Sequence, residues 1–230
     1  MLLALDTSGD VCSLAFGDGK TVLAEYHFYH KMNLMRRVTE VFDKLLTDCG
    51  KTVGDIEGVV VSLGPGSFTG LRIGLTMGKM LAFTENISVV GVPTCEALAL
   101  SALPRDCDYI CALIHARKGE VYMQLFNGGG DNLSDCEVTN VADLGDKLPA
   151  GKIYFCGNGA VVNRAELTEM FPDALFAPEY DTFARGAALL KRGSELIAQG
   201  KTDDPARIAP LYVKKPTPVV KLEERLRNSR

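Results

Sequence analysis

Residues 56–74 read Ile56-Glu57-Gly58-Val59-Val60-Val61-Ser62-Leu63-Gly64-Pro65-Gly66-Ser67-Phe68-Thr69-Gly70-Leu71-Arg72-Ile73-Gly74, and the rest of the chain is organised around them. The run at 56–63 is short and apolar, with three consecutive valines whose β-branched side chains suit a sheet covered on both faces. It predicts a central strand of parallel type. Gly64-Pro65-Gly66 then breaks the chain, and Ser67 or Thr69 can offer a side-chain oxygen to the first free N–H groups of a following helix. That helix is expected to run to about residue 84.

Gly70, Gly74 and Gly78 lie four residues apart, hence on one face of the helix. Each costs roughly 0.8–1 kcal/mol against alanine in a helix interior. The compensation is a smooth strip on which another backbone can come close, as small residues allow at membrane helix contacts. Spacing alone leaves open whether that neighbour is internal or a second chain.

Three chemical readings of the loop are open to its residues. A P-loop requires Gly-Lys-Ser/Thr, and here Leu71-Arg72 follows Gly70. A dinucleotide turn requires an acid closing the next strand, and residues 87–92 end without one. A nucleophile elbow at Ser67 requires glycines where Pro65 and Thr69 stand. On residue chemistry alone, a turn with a packing helix leads.

The chain has 230 residues, 47% of them hydrophobic, and a net charge of −4. It can bury a sizeable core, and its charge predicts no dominant nucleic-acid affinity. No apolar run approaches the roughly 18 residues of a membrane span, and Asp6 interrupts the first apolar residues. A cytoplasmic location away from membranes is expected. The seven cysteines form no Cys-x-x-Cys and no zinc spacing, so they read as reduced core residues.

Taken in order, residues 2–6, 11–16 and 21–28 read as an antiparallel meander with turns at Ser8-Gly9-Asp10 and Gly17-Asp18-Gly19. Helical spacing of Leu34, Met35, Val38, Val41, Phe42, Leu45 and Leu46 predicts a helix over 33–49, ended by Gly50. A strand at 87–92 and a short helix at 94–102 follow the glycine helix, and Leu103-Pro104-Arg105 looks like a joint. The second half opens alike, with strands at 109–114 and 120–126 and helices at 141–148, 160–171 and 182–199. Gly9-Asp10-Val11 matches Gly119-Glu120-Val121 in place, and each half has a strand ending in Gly-x-Gly, at 64–66 and 157–159. This is a faint internal repeat, and periodicity alone gives mixed α/β.

The eleven residues Gly64-Pro65-Gly66-Ser67-Phe68-Thr69-Gly70-Leu71-Arg72-Ile73-Gly74 resemble the signature of the TsaB (YeaZ) family. Five weaker segments agree in order: Leu3-Ala4-Leu5-Asp6-Thr7-Ser8, Gly91-Val92-Pro93-Thr94-Cys95-Glu96-Ala97, His115-Ala116-Arg117-Lys118-Gly119-Glu120-Val121-Tyr122, Gly157-Asn158-Gly159-Ala160 and Pro210-Leu211-Tyr212-Val213. The resemblance spans essentially the whole chain. It implies an α/β, two-lobed actin-like/sugar kinase/Hsp70 (ASKHA) fold with a duplicated strand meander and helices. The implied divisions are a first lobe at 1–103 with partner-binding helices, a smaller second lobe at 104–213 whose last helix packs back on the first, and a basic tail at 214–230.

The implied function is that of a non-catalytic scaffold and activator in N6-threonylcarbamoyladenosine modification of transfer RNA. The chain would pair directly with TsaD as a heterodimer and, with the ATPase TsaE, support transfer of threonylcarbamoyl from threonylcarbamoyl-AMP to adenosine 37 of tRNAs reading codons that begin with A. TsaD would do the chemistry, tRNA would be met through the complex, and a homodimer in isolation stays open. No cofactor of its own is implied, with ATP or ADP placed at the shared interface. The alternative is a stand-alone ATPase or phosphotransferase of the same fold.

By this resemblance the partner interface comprises His30, Leu34, Met35, Val38, Gly70, Leu71, Arg72, Gly74, Leu75 and Gly78, which assigns the glycine strip to a partner helix. Asp6, Thr7 and Ser8 are the nucleotide-proximal residues, against the simpler reading of a satisfied tight turn. TsaB proteins typically carry Asp-Ala-Arg in the second hairpin, and this chain has His115-Ala116-Arg117. The acid that would oppose Asp6 across a metal-bound nucleotide is thus replaced, which argues against hydrolysis. No catalytic or metal residue is assigned: His27 and His30, three apart, are expected to have no carboxylate ligand nearby and do not form the helical His-x-x-x-His pair of TsaD. The tail 214–230 carries six basic and two acidic residues, a charge of +4 against −8 for the remainder. It reads as a solvated terminus or as an arm for tRNA or an acidic patch.

Overall fold

The computed structural model describes residues 1–30, 33–103 and 106–213, so the proposed tail at 214–230 lies outside the described residues. Two five-stranded sheets carry the fold. The first is built from β1 (Leu2–Asp6), β2 (Val11–Gly17), β3 (Val22–Tyr29), β4 (Gly58–Ser62) and β5 (Ser88–Val92), in the order β3-β2-β1-β4-β5. β1, β2 and β3 form the antiparallel meander, while β4 lies between β1 and β5 and runs parallel to both. The second contains β6 (Tyr109–Arg117), β7 (Glu120–Asn127), β8 (Glu137–Asn140), β9 (Ile153–Cys156) and β10 (Leu175–Phe176), ordered β10-β9-β6-β7-β8. The strand directions repeat those of the first sheet, with β6 in the place of β1 and β9 in that of β4. The faint sequence repeat is therefore a complete duplication of topology.

Among the described residues seven α-helices accompany the strands: α1 (Leu34–Asp48), α2 (Phe68–Glu85), α3 (Thr94–Ser101), α4 (Leu144–Lys147), α5 (Asn158–Val162), α6 (Arg164–Met170) and α7 (Gly186–Ala198). The valine run shows how they are arranged. Val59 and Val61 enter the core shared with Leu3, Leu5, Leu45 and Leu75, on the side of α1 and α2. Val60 points the other way, toward Ala4, Ala15, Leu189 and Leu190 beneath α7. Successive side chains alternate across a strand, so an unbroken apolar run fills both layers.

The middle layer joins the halves. α7 packs on β1, β2, β4 and β5 of the first sheet, whereas α3 packs on β6 and β7 of the second. Leu98, Ile110, Phe126 and Leu190 consequently belong to one core. On the outer side of the second sheet, Leu113, Ile153 and Phe155 pack with Leu144 and Leu167. After α7, residues 201–213 return across the first lobe. Asp203 bridges to Val89, Ile208 is buried among the α2 side chains, and the Leu211 N–H donates to the Leu63 carbonyl at 2.7 Å.

Several boundaries differ from the sequence-based expectation. The expected helix at 182–199 starts at Gly186, and the one at 160–171 is split into α5 and α6 at Asn163. The segment 141–148 opens as a 3-10 turn at Val141–Asp143 before the single turn of α4.

Candidate functional site

Two regions carry the residues singled out above: the turn after β1 and the adjoining helices α1 and α2. At the end of β1, Asp6 is buried, and its Oδ1 accepts hydrogen bonds from the Ser62 hydroxyl at 2.5 Å, the Ser8 hydroxyl at 2.7 Å and the Ser8 N–H at 3.3 Å. Its Oδ2 is buried with no protein partner. Burial pushes the carboxyl above the usual aspartate range, and the three donors only partly oppose it.

Ser67 caps α2, with its Oγ accepting from the Gly70 N–H at 3.2 Å, while its own N–H donates to the Ser8 carbonyl at 2.7 Å. The helix therefore starts directly on the first hairpin. Thr7 donates its hydroxyl to the Gly70 carbonyl at 2.7 Å and is 1% exposed, so a helix turn covers a hydroxyl expected to lie near a nucleotide. Ser8 spends its hydroxyl on Asp6, and both residues line a cleft of about 240 Å³ between the halves, facing Thr94, Asn158 and Thr182. From the second hairpin Ile114 lines this cleft, and the next residue, His115, is exposed, its backbone N–H donating to Asn158 Oδ1 at 2.9 Å.

The glycine strip takes a different direction from the one the resemblance implied. A Cβ on Gly70 would stand 2.0 Å from the Thr7 carbonyl oxygen, one on Gly74 2.3 Å from Thr7 Oγ1, and one on Gly78 2.6 Å from Val61 Cγ1. All three glycines are buried against β1 and β4, so the assignment of Gly70, Gly74 and Gly78 to a partner helix is corrected. The close backbone neighbour is the chain's own first hairpin. Leu34, Val38, Leu71 and Leu75 are likewise buried.

The remaining interface candidates face outward. Met35 is 52% exposed and Arg72 is exposed, and His30, Leu34, Met35, Thr69, Gly70 and Ile73 line a groove between the starts of α1 and α2. His30 is held in place by a 3.2 Å contact from its Nε2 to the Gly9 carbonyl. His27 packs edge-on against Phe183 at 4.8 Å and lies 3.6 Å from Glu25, which corrects the expectation that no carboxylate stands near it. Among the described residues, no group of three or more His, Cys, Asp or Glu side chains is placed to hold a metal ion.

Sequence reasoning missed the outer residues of α2. Met80 and Phe83 are 56% and 61% exposed, on the face that also carries Ile73. At its start, the Arg72 guanidinium lies 3.8 Å from the Phe68 ring and donates to the Tyr212 hydroxyl at 3.2 Å, and the Phe68 and Tyr212 rings meet at 5.7 Å. Met80 and Phe83 stand at i+7 and i+10 from the half-buried Ile73, a pattern legible once the glycines are assigned to the inner face.

Two duplicated sheets around a cleft define the actin-like ATPase and sugar-kinase class of fold. A ROK hexokinase from Thermus thermophilus shares it at a TM-score of 0.51 and 12% identity, with 86% of this chain and 99% of that chain covered. YeaZ from Pseudomonas aeruginosa superposes at a TM-score of 0.76 with 25% identity, covering 92% of this chain and 98% of that one. The TsaB tRNA threonylcarbamoyladenosine biosynthesis protein of Bacillus subtilis (strain 168) is 38% identical over 212 residues, 90% of each chain. A family model described as TsaD, tRNA N6-adenosine threonylcarbamoyltransferase, matches residues 29–191. The chain belongs to the TsaB (YeaZ) family. No helix among the described residues is long and apolar enough to cross a membrane.

Proposed function

We propose that this chain is a non-catalytic scaffold and activator in tRNA N6-threonylcarbamoyladenosine biosynthesis, docking a TsaD subunit on the outer faces of α1 and α2. The observation that supports the reading best is the apolar outer face of α2. Met80 and Phe83 project long apolar side chains on a helix whose inner face is already committed to glycine contacts with the first hairpin. Exposed apolar residues grouped on one helix face suit a helix-to-helix contact. In the same reading TsaE joins through this complex, ATP or ADP lodges at the shared interface, and tRNA is engaged by the assembly in the cytoplasm. The chain alone could use the same face for a homodimer.

The rival reading, a stand-alone ATPase or phosphotransferase, is weakened by the use of the turn after β1. Thr7 is covered by α2, Ser8 is bonded to Asp6, and the second hairpin carries His115 at the sequence position where the family motif has an acid. The test is Met80→Glu combined with Phe83→Glu, assayed by titration calorimetry against the TsaD of the same cell. Two interface anchors at about 2 kcal/mol each imply a loss of binding on the order of 1000-fold, with Tm unchanged. Full affinity in the folded double variant would refute the assignment. ATP turnover by the isolated wild-type chain that vanishes in Asp6→Ala would move it to the phosphotransferase reading.

A further inference from the structure

All seven cysteines are unbridged, and two of their sulfurs come together: Cys95 Sγ lies 3.8 Å from Cys136 Sγ. They are 41 residues apart and come from different halves of the duplication. Cys95 sits in the first turn of α3 and is fully buried, while Cys136 immediately precedes β8 and is half-buried. We propose that Cys136 is a hydroperoxide-reactive thiol resolved by Cys95, the two closing a reversible disulfide between the first-half helix α3 and the edge of the second sheet.

The surroundings divide the roles. The contact with the Cys95 thiol holds Cys136 below the usual thiol range, against its own desolvation and the neighbouring Glu137. The same contact, together with burial, raises Cys95. The thiolate is the nucleophile, so the half-buried Cys136 attacks first and the buried partner resolves. Burial raises Cys12 and Cys111, and pushes Cys156 up to about 12, which leaves those thiols poor competitors.

The chemistry closes with a hydroperoxide as the oxidant. The Cys136 thiolate attacks the terminal peroxide oxygen; the S–O bond forms, the O–O bond breaks, and the departing oxyanion takes a proton to leave as an alcohol, or as water from hydrogen peroxide. The Cys95 sulfur then attacks the sulfenic sulfur of Cys136. The S–S bond forms, the S–O bond breaks, and hydroxide leaves as water with the Cys95 proton. Two thiols and one hydroperoxide yield one disulfide, one alcohol and one water. The sulfurs must close from 3.8 Å to about 2.05 Å, a shift for which the segment before β8 supplies an edge position.

The test exposes the full-length chain to hydrogen peroxide at doses that fully oxidise free glutathione, followed by a denatured thiol count and peptide mapping without reductant. The expected count falls by two from seven, with Cys95 and Cys136 in one linked peptide that dithiothreitol releases. Cys136→Ala should lose the link entirely, and Cys95→Ala should let Cys136 run on to the sulfinic acid. Both variants are checked for native circular dichroism, and the wild-type map stands independently of either. Unlinked sulfinic Cys136 in the wild type, a link to another cysteine, or an unchanged thiol count would overturn the proposal.

Discussion

Replacing Gly74 with alanine tests what the glycine strip is for. The new methyl carbon would stand 2.3 Å from Thr7 Oγ1 and 3.5 Å from Thr7 Cβ and Cγ2. Only the hydroxyl is in the way, and it is fixed by its 2.7 Å bond to the Gly70 carbonyl. Relieving the clash means turning the hydroxyl off that carbonyl or lifting α2 from the sheet. A stranded buried hydroxyl costs about 1–3 kcal/mol, and overpacking costs about 1–3 kcal/mol. Against these stands a helix-propensity gain of roughly 0.8–1 kcal/mol. The expected net loss is about 1–5 kcal/mol, with roughly 2–4 °C of Tm for each kcal/mol at this chain length. Thr7→Ala should lose about 1 kcal/mol for its hydrogen bond, yet it removes the obstructing oxygen. The double variant should therefore recover about 1 kcal/mol or more relative to the sum of the single losses. Urea unfolding of the four proteins measures both quantities. Additive losses, or a Gly74→Ala protein as stable as wild type, would refute the packing argument.

Other outcomes follow from the same contacts. The Asp6 carboxyl is raised in the folded chain, so its contribution to stability is present below the unfolded value of about 3.9 and is lost as pH rises through the folded value. Asp6→Asn should thus match or exceed wild-type stability at pH 7, with the gap closing toward pH 4; a gap independent of pH in parallel denaturant titrations would contradict this. Lys79 Nζ donates to the Ile208 carbonyl at 3.1 Å and the Ala206 carbonyl at 3.4 Å. Lys79→Met should speed amide exchange in residues 206–211 by about 5–10-fold, as for one lost hydrogen bond, while the strands of the first sheet keep their protection. Equal protection in both proteins would show that Ile208 and Leu211 hold the segment without the lysine.

The legible parts of the fold were those with a strong period or a steric break. β1, α1, β4 and α2 followed from alternation, helical spacing and Gly64-Pro65-Gly66, because each carries a buried face long enough to register. β8 and β10 escaped: Glu137–Asn140 is a mostly polar edge strand, and Leu175–Phe176 is only two residues long. The candidate site was legible as a set of positions but not as a set of directions. Spacing placed Gly70, Gly74 and Gly78 on one face, yet a helical period cannot say what that face meets. Thr7, 63 residues before Gly70, supplied the answer, and only the folded sheet brings them together. Met80 and Phe83 escaped because α2 is apolar around most of its circumference, so hydrophobic spacing does not mark which side faces outward.

The crossed placement of α3 and α7 makes the molecule a dimer on a single string. Each half lends the other the helix that keeps one side of its sheet dry. A chain severed between residues 103 and 106 would yield an N-terminal piece with β1, β2, β4 and β5 bare where α7 belongs, and a C-terminal piece with β6 and β7 bare where α3 belongs. Injury is thereby displaced along the sequence. Shortening the chain to end before Gly186 strips the lid from a sheet whose first strand starts at Leu2, so the damage surfaces at the opposite end of the polypeptide.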